Sequence, residues 1–396
     1  MLRPPGLIEA RAAHKRGELS VESLRELEDQ AALEAIEIQR QAGIEVFTDG
    51  EVRRDTWMAG LLESIGGVVP AETPGAKWYR GDGNPPTDET HFDMVVANAA
   101  LTQKAAHTSV EAAFLAQHAP GRFKITMMSS SMGTMLWNPS VSASVYPTAA
   151  DLVRDLVALQ IREIEGLIDQ GVTWIQLDSL SYNMVFDQEF RAGIGLAFLR
   201  PEEILDATVA VDTEIVRAAK RKNPAVTVGM HICRGNNRSA WMAEGSYEPI
   251  AERLFAEVGV DRFLLEYDTP RAGGFEPLRF VPKGTTVVLG LISSKVPQLE
   301  SQDDLRRRID EASKYVPVEN LAISPQCGFA STARGNLLTV DEERRKLELV
   351  AGTARKVWGL ACVLDAFPPQ ERNYCDATGH RRGARKDRNR VAQARA

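Results

Sequence analysis

Two cysteines, a histidine and a glutamate are spaced so that together they could hold a metal ion. His231 and Cys233 flank Ile232 in HIC, Glu266 stands in LLEYD, and Cys327 stands in SPQCG. Each lies at the downstream end of a short apolar run that reads as a β-strand. One imidazole, two thiolates and one carboxylate form a donor set that zinc takes in a tetrahedron. Ligands drawn from separate strand ends predict a site open to substrate instead of a small structural knuckle. A free thiol, with a pKa of about 8.5, is mostly protonated at neutral pH, whereas a thiol on zinc is held as thiolate. The chemistry on offer is activation of a sulfur nucleophile.

Positioning such groups requires strands that alternate with helices. The stretch from Ser20 to Gly43 has helical periodicity, a serine cap and a terminal glycine, and leads into EVFTDGE. FKITMMSSS, Phe123 to Ser131, is the next strand. A capping box of Thr148 and Asp151 opens a helix that runs to Gly171 and delivers VTWIQLDS. A helix opening at Pro201 leads to VTVGMHIC, the helix in YEPIAERLFAEVG leads to RFLLEYD, and TTVVLGLIS follows. Ser301 with Asp304 opens the helix before LAISPQCG, and Thr339 with Glu342 opens the last one. This repetition predicts an α/β fold, a (β/α)8 TIM-like barrel, in which functional groups gather at the carboxyl ends of the strands. Asp49, Glu51, Asp178, His231, Cys233, Glu266 and Cys327 all sit at such ends. Seven strands are visible where eight are expected.

Composition narrows the class further. The chain has 396 residues, 44% apolar and 26% charged, with a formal net charge of -7, so nothing suggests nucleic acid as a partner of the main body. No run of about 18 apolar residues reads as a membrane span. MLRPPGLIEARAAHKRGEL has charges and prolines where a secretory leader needs an apolar stretch, so a cytoplasmic address is expected. Four cysteines in a chain of this size predict reduced thiols.

The motifs LRPPGL, TDGEVRR, FKITMMSSS, IQLDS, HICRGNN, LEYDTPRAGGFEPLRF, LGLISSK and SPQCGFAS, spread up to about Trp358, resemble the cobalamin-independent methionine synthases. The likeness is strongest to the short, single-barrel bacterial members. It implies a zinc enzyme that moves a methyl group from a methyltetrahydrofolate-type donor to the thiolate of homocysteine, giving methionine. It also implies that His231, Cys233, Glu266 and Cys327 are the metal ligands. Asp178 matches the position that holds the amino group of homocysteine, and Glu51 matches a glutamate between amino acid and pterin. Trp137, in GTMLW, matches the tryptophan on which the pterin stacks. Structural roles are open to the same residues: Asp178 as a helix cap, Glu51 in a turn paired with Arg53 or Arg54, and Trp137 as packing.

The chain departs from that family in three ways. Relatives begin with a strand carrying a glycine-serine pair before the leucine-arginine-proline, so the first strand is the one expected to be missing or truncated. Either the recorded start lies downstream of the true one, or the barrel closes differently. The larger members carry a histidine in the strand before the last, where this chain has Ile292. Isoleucine cannot move a proton, and Lys295 just beyond is a candidate cation for an anionic substrate group. The amino-terminal barrel of the larger members is absent. That leaves open a zinc thiol-alkyltransferase acting on another thiol or alkyl donor, as when coenzyme M attacks an epoxide, or a zinc barrel that binds substrate without turnover. The expected organisation is one catalytic barrel over residues 1–366 with a long insertion around 56–122 that forms a lid or hairpin. A basic tail over 367–396, poor in apolar groups, is expected to be disordered.

Overall fold

The fold begins with helices α1 (Pro5–Lys15) and α2 (Val21–Ala42) and a two-residue strand, β1 (Val46–Phe47), in a computed structural model that describes residues 1–71, 77–80, 94–193 and 199–359. An insertion follows, made of α3 (Ala59–Ser64), β2 (Ile65–Ala71), β3 (Met94–Gln103) and α4 (His107–His118). Strands β4 (Arg122–Phe123) and β5 (Ile125–Met128) are two halves of one run split at Lys124. Next come α5 (Pro139–Ser142), α6 (Ala149–Asp169), β6 (Trp174–Asp178), α7 (Asn183–Phe186), α8 (Gln188–Gly193) and α9 (Pro201–Lys222). The chain continues through β7 (Thr227–Ile232), α10 (Glu248–Glu257), β8 (Arg262–Glu266) and β9 (Thr286–Ile292). It ends, as described, with α11 (Gln302–Ala312), β10 (Leu321–Pro325) and α12 (Val340–Trp358).

Local sequence explains the helix ends. Ser20 accepts from the Ser23 amide, and Gly43, at φ 83°, closes α2 in the left-handed conformation that glycine adopts without penalty. Thr148 with Asp151 and Thr339 with Glu342 form the reciprocal capping boxes expected of them. Ser301 accepts from the Asp304 amide, but no return bond from Asp304 is made, so this end is a simple serine cap.

Six strands form one parallel sheet in the order β10-β9-β8-β7-β6-β5, and β1 pairs in parallel with β4. The Lys124 amide donates to the Phe47 carbonyl, which carries the pairing on to β5. The chain thus supplies seven consecutive parallel barrel positions. Because helices cover the outer face, strands read as continuous apolar runs; all of β9 is buried. Helix α6 seals its side with Leu152, Leu156, Ile164 and Leu167, all fully buried, and each contributes about 1.5–3 kcal/mol by leaving water.

No ladder joins β1 to β10 among the described residues, so the eighth position, where the first strand was expected, is open. A cavity of about 590 Å³ occupies the barrel interior there, walled by Ile44, Val46, Leu264, Val288, Leu321 and Ile323. Outside it, Leu347 of α12 and Ala42 of α2 share an apolar cluster with Leu338 and Phe329, against which Met1 and Leu2 pack. Arg3, also buried, stitches the two edges together. Its guanidinium donates to the carbonyls of Glu51 and Arg54 after β1, at 3.0 and 2.6 Å, and of Ala330 and Thr332 after β10, at 2.9 and 3.2 Å.

Within the insertion β2 and β3 form an antiparallel hairpin. Met94 and Val96 line the cavity, and Tyr79 exchanges backbone hydrogen bonds of 2.8 and 2.9 Å with Trp241. The basic tail over 367–396 lies outside the described residues. No helix among the described residues is long and apolar enough to cross a membrane.

Candidate metal centre

Strand pairing brings three of the expected ligands together. His231 is the penultimate residue of β7 and Cys233 follows the strand, while Cys327 lies just past β10, where a register shift at Ser324/Pro325 re-aims the chain. The His231, Cys233 and Cys327 donor atoms all lie within 4.8 Å of one another. Cys327 Sγ is 3.6 Å from His231 Nε2 and 4.0 Å from Cys233 Sγ. Zinc bonds of about 2.3 Å to sulfur and 2.0 Å to nitrogen give tetrahedral edges of roughly 3.5–3.8 Å, close to the two Cys327 separations, and the trio, spanning up to 4.8 Å, would draw in around such an ion. His231 Nδ1 lies 3.1 Å from the Leu264 carbonyl, an arrangement in which Nδ1 keeps the proton and Nε2 faces the sulfurs.

The three groups are electrostatically linked. Hydrogen bonding to Cys233 pulls the Cys327 thiol well below its usual range, against burial and with help from His231. Hydrogen bonding to Cys327 together with burial pushes Cys233 far up. Burial would keep His231 neutral, yet contact with Cys327 raises it to about 9. Two adjacent thiols cannot both ionise in a buried site unless a positive charge joins them.

Glu266 ends β8 but is not part of this close trio. Its Oε2 accepts from the Arg234 amide and from Gln326 Nε2, both at 2.8 Å. Its Oε1 accepts from Arg271 at 3.1 Å and lies 4.0 Å from Lys295 Nζ. Burial alone would raise this carboxyl, but Lys295, Arg234 and Arg271 outweigh it and hold Glu266 well below the usual range. Gly290 sits opposite Glu266 in the sheet, and a Cβ there would come within 2.8 Å of the Leu265 carbonyl and 3.0 Å of Gln326 Cα. That close approach is what lets Gln326 reach Glu266. Lys295, expected as a cation for a substrate anion, is buried beside Glu266 and does not line the cavity.

Across the mouth stand the other expected residues, all lining the cavity: Glu51, Asp178 and Trp137. Asp178 ends β6, paired in register with His231, and accepts from Gln176 Nε2 at 2.8 Å. Burial raises its carboxyl to about 6, with Glu51 adding to the rise and His231 opposing it. Glu51 has φ 52°, a left-handed backbone rare outside glycine, and follows Gly50 at φ 75°. Burial works against its charge, but Arg54 at 3.7 Å, the Thr126 hydroxyl, the chain's amino group and Arg3 leave its pKa lowered. The Arg53–Asp49 and Arg54–Glu51 pairs open to this turn are both present, each at 3.7 Å. Trp137 donates from Nε1 to the Tyr146 carbonyl at 2.8 Å while its ring lines the cavity.

Sequence reading missed the supporting groups. Lys124, half-buried, reaches Gln176 Oε1 at 2.5 Å, and is held below its usual range by burial against the pull of Asp178 and Glu51. A lysine and a glutamine inside apolar strands were the available signal. Asp212 of α9 accepts from Ser129, from Ser179 at 3.2 Å and from Tyr182 at 2.9 Å, tying down the loops after β5 and β6.

The profile of the family described as Cobalamin-independent synthase, Catalytic domain, matches residues 5–347. The chain belongs to that family. It is 35% identical over 364 residues to the uncharacterized protein YxjH of Bacillus subtilis, spanning 90% of this chain and 93% of that one. The methionine synthase of Saccharolobus solfataricus is 25% identical over 338 residues, spanning 84% and 86%. A solved structure from Listeria monocytogenes, provisionally named a vitamin-B12 independent methionine synthase, superposes with a TM-score of 0.67 at 28% identity, over 91% of this chain and 96% of that one. Membership of the cobalamin-independent synthase family makes this a methionine synthase-like enzyme on a TIM-type barrel, and the His/Cys trio is a candidate metal site at its mouth.

Proposed function

We propose that the protein is a zinc-dependent S-methyltransferase that moves a methyl group from a methyltetrahydrofolate-type donor to the thiolate of homocysteine. The observation that carries this reading is the clustering of the His231, Cys233 and Cys327 donor atoms within 4.8 Å of one another, facing a cavity that also presents Asp178, Glu51 and Trp137. His231, Cys233 and Cys327 hold the metal, with Glu266 as a fourth, weaker donor. Zinc bound there supplies a thiolate at neutral pH without a general base.

The remaining work falls to the chain itself. Asp178 and Glu51 face the substrate ammonium, and their negative charge in a low-dielectric mouth rewards a cation more than water does. Lys124 and Gln176 keep Asp178 oriented. Trp137 offers a flat apolar face to a pterin ring, and the β2–β3 hairpin over the mouth limits water. Together they bring sulfur and methyl carbon into line, which removes much of the entropic cost of a bimolecular step. Residues 1–366 act as one catalytic barrel, and the reading assigns the protein to the cytoplasm.

Metal analysis followed by a methyl-transfer assay tests this. One zinc per chain and methionine formed from homocysteine with a methylfolate donor are expected. Zinc well below one equivalent sinks the metal assignment. Stoichiometric zinc with transfer only to another thiol, or from another alkyl donor, sinks the substrate assignment and leaves the centre standing.

A further inference from the structure

We propose that Lys124 is the carboxylate receptor of the substrate pocket, and that with Asp178 it forms a clamp selecting a thiol whose ammonium and carboxylate sit on one carbon. The assignment rests on homocysteine as the acceptor and names the cation that its acid end requires.

Lys295, expected for that task, does not line the cavity. Among the described residues only Lys124 and Arg262 bring a lysine or an arginine to its wall. Arg262 opens β8, at the opposite end of the strand from Glu266, and its guanidinium lies over the Trp174 ring, 4.8 Å from the centroid. Lys124 is placed differently. It shares the inward face of the β4–β5 run with Thr126, and both line the cavity. Its ammonium makes one hydrogen bond among the described residues, to Gln176 Oε1, which leaves two N–H groups for a ligand. Lysine is rarely kept on the inner face of a sheet, where burial already holds this one below its usual range, so packing alone does not account for it.

Gln176 sets the spacing of the clamp. Its Oε1 accepts from Lys124 at 2.5 Å and its Nε2 donates to Asp178 Oδ1 at 2.8 Å, so the two charges stand at most about 8 Å apart on one side of the cavity. Asp178 Oδ2 makes no hydrogen bond among the described residues. An ammonium and a carboxylate on one carbon, each joined to its receptor by a hydrogen bond of about 2.8 Å, span about the same length. The polarity matches too, since the Gln176 amide itself turns an acceptor to the lysine and a donor to the aspartate. Asp178 is paired in register with His231, while Lys124 lies four residues before Met128, the partner of Asp178 on the other side. An amino acid held this way has its sulfur arm on the metal side of the mouth and its carboxylate turned into the barrel. Without Lys124 that carboxylate would meet only the like charges of Asp178 and Glu51, which repel it.

Calorimetric titration of the zinc-loaded full chain with three thiols tests the clamp: homocysteine, the aminothiol left when its carboxylate is removed, and the mercapto acid left when its ammonium is removed. Wild type is expected to bind homocysteine at least about tenfold more tightly than the aminothiol, the worth of one charge-assisted hydrogen bond. Lys124→Met should weaken homocysteine and the mercapto acid about tenfold to a hundredfold and leave the aminothiol within about threefold. Asp178→Asn should give the converse pattern, weakening homocysteine and the aminothiol and sparing the mercapto acid. A lysine that merely supports the wall would weaken all three alike. Lys124→Gln takes the place of Lys124→Met if that variant does not fold, and the wild-type comparison needs no variant. No homocysteine binding by wild type removes the acceptor reading, and the clamp with it. With that binding intact, homocysteine held no tighter than the aminothiol, or a folded Lys124 variant that weakens all three thiols alike or none, overturns the clamp and leaves the acceptor reading standing.

Discussion

The two sides of the barrel mouth are built differently. On one side His231, Cys233, Glu266 and Cys327 come from β7, β8 and β10, which lie with β9 in one continuous parallel ladder. On the other, Glu51 hangs from a two-residue strand by a left-handed turn, and Asp178 faces a cavity that runs into the open eighth position. The metal side hangs its donor atoms on paired strands, which bring three of them within 4.8 Å of one another. On the substrate side Asp178 shares that ladder through β6, while the Glu51 turn is held by side-chain bridges instead, chiefly Arg3 and Arg54. Such a division suits the proposed chemistry, in which the centre must not move and the pocket must admit two reactants.

Cutting the metal side should therefore damage chemistry more than folding. Cys327→Ser is expected to lower turnover by at least about a thousandfold, since the thiolate-holding centre is lost, while its melting temperature falls only a few degrees. Calorimetry beside a methyl-transfer assay checks this; a variant with wild-type turnover removes Cys327 from the centre.

The open side should respond in the opposite sense. Arg54 bridges buried Glu111, through Nε at 2.6 Å, to the Thr126 carbonyl at 2.8 Å and the Glu51 turn. Arg54→Met leaves Glu111 uncompensated and should cost about 3–5 kcal/mol of stability. Denaturant unfolding measures it, and a loss under about 1 kcal/mol would mean that the turn's other contacts, Arg3 and the Arg53–Asp49 pair among them, hold it without Arg54.

What could be read from the sequence was what is local or repeated. Capping residues, strand ends and the HIC and SPQC motifs each declare themselves within a few residues, because the forces behind them act over one turn or one strand. The open eighth position was legible too, as a missing repeat. Contacts between distant loops were not: Gln326, Arg271 and Lys295 meet at Glu266 only after β8, β9 and β10 pair. Arg3 looked like part of a motif and is the clasp across the opening. Lys295 read as a group for a substrate anion because its burial depends on neighbours from other strands.

A subtler contrast is pH. Burial raises the Asp212 carboxyl to about 6 despite its hydroxyl donors, so between the usual aspartate range and pH 6 the folded protein holds a proton that the unfolded chain has released. Its contribution is therefore fully present at low pH and is lost as pH rises through 6, by up to about 3 kcal/mol. The stability of wild type relative to Asp212→Asn should decline from pH 4 to pH 7. A flat or rising difference would show that the four-group network already favours the charged form. No such decline is expected for variants on the metal side.

The smallest effects should separate the two reactants. Asp178→Asn keeps the shape and the Gln176 contact but removes the charge facing the ammonium, so the KM for homocysteine should rise about tenfold to thirtyfold, the worth of one charge-assisted hydrogen bond. Zinc affinity should stay within about twofold, because Asp178 donates nothing to the trio. Trp137→Ala should instead raise the KM for the methyl donor, by about tenfold if one aromatic face is lost, and leave the homocysteine KM in place. Steady-state kinetics with each substrate varied in turn reads both. If Asp178→Asn moved zinc affinity as well, the two sides of the mouth would be one coupled unit, and the separation between a rigid metal wall and a yielding substrate wall would have to be given up.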